Sequence, residues 1–137
     1  MGVFYTGKGD GGKSIIGKIK VDKTSDSIEA LGDLDELNSL LGVVKQNVKN
    51  RALHNFKKVI SDVQENVFII QANVAAFMNP KFKPPEFKDF KIKELEKLID
   101  SFEKKIKPAR KFIIPGSGKE SAWVDYTRAV SRRTERG

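Results

Sequence analysis

The chain has 137 residues, 39% of them hydrophobic and 32% charged, which is enough for one domain with its own core. No apolar run approaches the length of a transmembrane helix, the first residues lack the apolar stretch of a signal peptide, and the absence of cysteine excludes a disulfide framework and thiolate chemistry. A cytoplasmic protein is the expectation. The net charge of +8 asks for an anionic partner, but many lysines fall on helix faces where they solubilise, so composition does not choose among nucleic acid, acidic surface and phosphorylated small molecule.

Residues 1–25 are rich in Gly, Lys and Asp and read as an extended arm. Within it Gly7 to Ser14 satisfies the P-loop pattern G-x-x-x-x-G-K-[ST]. Only six residues precede Gly7, and Ile15-Ile16-Gly17-Lys18-Ile19 favours an extended segment over the helix a P-loop requires. A P-loop fold is therefore rejected, while a cationic, glycine-rich arm still suits a triphosphate.

Four helices follow. Asp26 and Glu29 open the first, with Ile28, Leu31, Leu34, Leu37 or Leu41, Val44 and Val48 at helical spacing through residue 49. The second spans 51–79 with a stripe of Leu53, Phe56, Val59, Ile60, Val63, Val67, Ile70 and Val74, and Pro80 follows its end. The third spans 91–106, with Ile92, Leu95, Leu98, Ile99, Phe102 and Ile106 on one face. The loop 108–118 contains Phe112-Ile113-Ile114-Pro115-Gly116, and Ser117 with Glu120 is read as the capping box of the fourth helix. The expected fold is all-α, an antiparallel helix bundle with an extended N-terminal arm. Residues 1–137 form a single domain, divided into the arm (1–25) and the bundle (26–137).

The fourth helix ends in Arg128-Ala-Val-Ser-Arg132-Arg133-Thr-Glu135-Arg136. Positions 128, 132, 135 and 136 share one face, with Arg133 about 100° round the cylinder. Stacked arginines repel one another unless a polyanion lies against them, and the arginine fork matches phosphate oxygens. A solvated basic helix end accounts for the stripe equally well when it is taken alone.

Three separated segments together resemble one family. They are Thr6-Gly7-Lys8-Gly9-Asp10-Gly11-Gly12, resembling a TG-x-GD-x-G signature, and Glu29 through Ser39, resembling a first-helix signature. The third is Phe112-Ile-Ile-Pro115-Gly116 with Arg128 through Arg136, resembling F-x-x-PG … R-x-x-x-RR-x-ER. The family is the ATP:cob(I)alamin adenosyltransferases of the ATP-binding helix-bundle, or propanediol-utilisation, type. The resemblance implies transfer of the adenosyl group of ATP to the cobalt of cob(I)alamin with release of triphosphate. Cobalt(I) is the nucleophile, so no general base or protein nucleophile is required. The lone histidine, His54, is read as a surface residue.

The resemblance also implies site roles. Thr6, Gly7, Lys8, Gly9, Ser14 and Lys23 would hold the triphosphate, and Arg132, Arg133, Glu135 and Arg136 the nucleotide from the other side. Asp35 and Arg128 match a pair that bridges subunits beside the cobalamin. Phe112 would pack on the lower corrin face and keep the dimethylbenzimidazole ligand off cobalt. The catalytic set is thus Arg132, Arg128, Asp35 and Phe112. Magnesium would arrive on the ATP phosphates, with no dedicated protein ligand. A homotrimer is implied, with a cobalamin reductase and an adenosylcobalamin-dependent mutase as partners and neither nucleic acid nor membrane.

Lys13-Ser14 stands where the family usually has a threonine, and Val124-Asp125-Tyr126-Thr127 replaces a stretch that usually reads L-H-x-A. Family members continue into a fifth helix beyond the arginine motif, so a shortened or trimmed chain is expected. Two alternatives compete with catalysis. One is a non-catalytic nucleotide- or cobalamin-binding chaperone, and the other is a basic bundle that binds nucleic acid through the arginine stripe.

Overall fold

The computed structural model describes residues 13–16, 19–22, 26–49, 55–79, 81–105 and 113–137. Two short strands, β1 (Lys13–Ile16) and β2 (Ile19–Asp22), precede four helices: α1 (Asp26–Asn47), α2 (Phe56–Met78), α3 (Phe90–Lys105) and α4 (Lys119–Arg136). The bundle is all-α, as its apolar periodicity predicts.

β1 and β2 pair antiparallel, with Lys13 opposite Asp22 and Ser14 opposite Val21. In a P-loop the lysine and serine open a helix. Here they open a strand, the reason being the Ile15-Ile16 and Ile19 pattern that follows.

α1 is the central element, packed against α2 and α4. Leu34 and Leu41 of α1 form the core cluster with Ile60 and Val67 of α2, and Leu37, Phe56, Val63 and Val74 pack around it. Val44 is the most deeply buried large side chain, 2% exposed. A polar seam crosses the same interface: Lys45 Nζ donates to Gln64 Oε1 (2.8 Å), and Gln64 Nε2 donates to the Asn38 carbonyl (3.2 Å). The Asn38 side chain is buried and its Oδ1 has no partner among the described residues. An unpaired buried acceptor costs about 1–3 kcal/mol, which packing on either side must offset.

α4 runs antiparallel to α1. At one end Lys49 N donates to Glu120 Oε1 (2.8 Å), and at the other Arg133 pairs with Glu36. Thr127 and Val130 are the buried residues of α4, three residues apart on the face turned to α1. Thr127 Oγ1 donates to the Trp123 carbonyl (2.8 Å), which satisfies a hydroxyl that could not otherwise be buried cheaply.

Two local expectations change. The start of α4 is not closed by Ser117 and Glu120. Instead the Gly118 amide donates to Ser121 Oγ (3.1 Å), and Glu120 is drawn away to the end of α1. α3 carries the predicted apolar stripe, yet none of its residues is buried. Leu95 and Leu98 share a cleft with Val59 and Asn66 of α2, while Ile92 and Ile99 remain about half exposed. An amphipathic stripe covers more than one neighbour can bury. Residues 51–54 and 106, assigned to helices from the sequence, lie outside the described residues.

Candidate functional site

The site is built on α4. Burying Thr127 and Val130 against α1 turns Arg128, Arg132, Glu135 and Arg136 outward, and all four are exposed. The helix geometry thus presents these side chains as one array, as their spacing predicts. Arg133 stands outside that array, as its place about 100° round the helix predicts. It lies on the flank next to α1, where its Nη2 is bonded to Glu36 Oε1, a partner 97 residues away. Both side chains are about half exposed, so the pair contributes roughly 0.2–1 kcal/mol. Glu36→Gln is accordingly expected to lower the unfolding midpoint by no more than a few degrees in a thermal melt. A larger fall would show that the pair holds the α4 end in place.

Beside the array lies an apolar cleft of about 370 Å³ between α1, α2 and α4. Leu34, Leu37, Val67, Ile70 and Val74 form its walls, and Ser131, Thr134 and Glu135 form its α4 rim. Glu135 therefore belongs both to the charged array and to the edge of an apolar surface. A ligand with an anionic end and a broad apolar part matches that combination.

Asp35 is exposed on α1. The pairings of 36 with 133 and 49 with 120 place Arg128 level with residue 41, about 9 Å along the axis from Asp35 at 1.5 Å per residue. Asp35 also lies roughly 140° round α1 from Leu40, which is buried. Asp35 and Arg128 are thus not brought together within one chain. Among the described residues the ion-pair partner of Arg128 is Asp125, Nε to Oδ1 3.8 Å.

In the α3–α4 loop, Ile113 and Ile114 stand exposed at 66% and 87%. Gly116 follows with φ +98°, the left-handed region that a side-chain-bearing residue adopts only with strain. That explains the glycine of the Pro115-Gly116 turn, which aims the preceding residues outward. Phe112 itself, with Thr6, Gly7, Lys8, Gly9, Lys23 and His54, lies outside the described residues, and Ser14 is placed only by its backbone on β1. Among the described residues no three His, Asp or Glu side chains converge as metal ligands, and no helix is long and apolar enough to cross a membrane.

Glu36 and Glu120 each pair across the α1–α4 interface. Their partners are brought in only by the α1–α4 packing, and no local pattern signals them.

The cobalamin adenosyltransferase family matches residues 4–137. The chain belongs to that family. It is 31% identical over 141 residues to a corrinoid adenosyltransferase of Mus musculus, covering 97% of this chain and 58% of that protein. Over 135 residues it is 31% identical to a corrinoid adenosyltransferase of Citrobacter freundii, covering 97% of this chain and 75% of that one. Its fold matches a PduO-type ATP:corrinoid adenosyltransferase from Lactobacillus reuteri with a TM-score of 0.86 at 27% identity, covering 96% of this chain and 72% of the other. That structure is a phenylalanine-to-histidine variant complexed with cobalamin and ATP.

Proposed function

We propose that this chain transfers the 5′-adenosyl group of ATP to the cobalt of cob(I)alamin, giving adenosylcobalamin and triphosphate. The observation that carries the proposal is the outward array of Arg128, Arg132, Glu135 and Arg136 on α4, set beside an apolar cleft in a member of this family. A relative of the same fold is complexed with both cobalamin and ATP.

In the reaction a cobalt–carbon bond forms at C5′ as the C5′–oxygen bond breaks, and the electron pair leaves on triphosphate. No proton has to be moved. The barrier lies in the charge gathered on the leaving group, which oriented guanidinium groups stabilise. Arg132 and Arg136 hold the phosphates from α4, Arg133 lends its remaining donors, and Glu135 orients the arginines or accepts from the nucleoside. Thr6, Gly7, Lys8, Gly9, Ser14 and Lys23 wrap the triphosphate from the arm, and magnesium is brought by the phosphates themselves. Phe112, with Ile113 and Ile114 beside it, covers the lower corrin face and excludes water and the dimethylbenzimidazole base. Without that axial donor cobalt(II) is easier to reduce to the nucleophile.

Residues 1–25 act as the nucleotide-binding arm of a single domain completed by residues 26–137. Asp35 is too far from Arg128 to pair within one chain, which supports a homotrimer in which Asp35 of one subunit meets Arg128 of the next. The protein works in the cytoplasm, receives cobalamin from a reductase and passes the product to an adenosylcobalamin-dependent mutase.

Competition binding tests the ligand class. Magnesium-ATP is expected to bind and to be displaced by triphosphate, but not by single-stranded DNA at equal phosphate concentration. Equal displacement by DNA, with a steep salt slope, would instead mark a polyanion-binding bundle.

A further inference from the structure

The outward array is not purely cationic. Asp125 stands at its N-terminal end, with Oδ1 3.8 Å from Arg128 Nε and side-chain exposures of 37% and 62%. At about 100° per residue, Asp125, Arg128, Arg132 and Arg136 fall within an arc of roughly 80° on α4. An acid three residues before a base is a favourable order on a helix.

This contact is not what holds α4 in place, because the helix is anchored by Thr127 and Val130 on its opposite side. Its consequence is for Arg128. The Arg132 guanidinium, four residues on, repels that of Arg128, and Asp125 gives Arg128 a resting partner on its own helix. Any other acceptor, whether a ligand oxygen or the carboxylate of a second chain, must compete with that partner. Glu135, the acid within the array, stands seven residues beyond Arg128 and also lines the edge of the apolar cleft.

We infer that Asp125 is a positioning residue, which holds Arg128 along α4 and so weakens the pull of Arg128 on the corrinoid side of the site. The inference rests on the adenosyltransfer reading, in which Arg128 stands beside the corrinoid.

The test is the affinity of the full chain, saturated with magnesium-ATP, for cob(II)alamin, followed by absorbance. The proteins compared are wild type, Asp125→Asn, Asp125→Glu, Arg128→Ala and the Asp125→Asn/Arg128→Ala double variant. Asp125→Asn is expected to tighten the corrinoid Kd about threefold, the scale of an exposed ion pair. The Kd for magnesium-ATP should stay unchanged, and Asp125→Glu should restore the wild-type corrinoid value. In the Arg128→Ala background Asp125→Asn should have no effect, since the carboxylate acts through the arginine. Asp125→Ser repeats the comparison if the asparagine variant loses helical circular dichroism.

An unchanged corrinoid Kd in Asp125→Asn, or the same gain with Arg128 absent, overturns the inference while leaving adenosyltransfer intact. A wild-type chain that binds no corrinoid at all overturns both.

Discussion

Arg132→Ala is expected to lower kcat for adenosyl transfer about 10²- to 10³-fold, the loss of roughly 2–4 kcal/mol of transition-state stabilisation. Arg132 is exposed in the middle of the outward array on α4, with Arg128 and Arg136 one turn to either side. Charge grows on the triphosphate only as the C5′–oxygen bond breaks, so a donor oriented towards it acts mainly on kcat. The fold should be indifferent: the side chain makes no ion pair among the described residues, and exposed substitutions of this kind usually shift stability by less than about 0.5 kcal/mol. Steady-state kinetics of the variant beside its thermal melt separates the two effects. Near-normal turnover would remove Arg132 from the reaction, and a collapsed melt would make its role structural.

The largest loss of stability is expected from Leu41→Ala. Leu41 is 7% exposed and belongs to the cluster with Leu34, Ile60 and Val67 that joins α1 to α2. Truncating it removes about 2–5 kcal/mol, the transfer and cavity terms together. Against a total of about 5–15 kcal/mol for a typical domain, that is a substantial part of the stability. Ile99→Ala in α3 serves as the control. It removes a branched apolar side chain of similar size, but Ile99 is 56% exposed, so the change should stay near 0.5 kcal/mol. Urea unfolding of both variants checks the contrast. Similar losses would mean that α3 is buried as deeply as α1 in solution.

The helices were legible because each carries its own periodic signal. The Leu34, Leu41, Ile60 and Val67 positions that predict two stripes are the residues that meet in the core. The outward face of α4 was equally legible, because helix geometry alone decides which arginines share a side. What failed was everything decided by a neighbour. The stripe on α3 says which side is apolar but not how much another element covers, and Ile92 and Ile99 stay half exposed. The sequence offered Ser117 and Glu120 as a capping box, but Glu120 finds a better partner in the Lys49 amide, 71 residues away. Glu36 comes to Arg133 across 97 residues, a pairing that no local pattern signals. The P-loop motif is rejected on a local signal instead, the extended Ile15-Ile16 and Ile19 pattern that follows it. Its glycines, lysine and serine were present, but Lys13 and Ser14 pair with Asp22 and Val21 in a hairpin instead of opening a helix.

On this reading the arginine array beside the apolar cleft serves alkyl transfer to cobalt. The most direct test is anaerobic turnover of chemically reduced cobalamin with magnesium-ATP by the 137-residue chain. Loss of the cobalt(I) absorbance is expected, with formation of one light-sensitive cobalt–carbon product and one triphosphate per corrinoid consumed. ATP and cobalamin bound together without consumption of either would contradict that reading, and would make the chain a carrier of the two ligands.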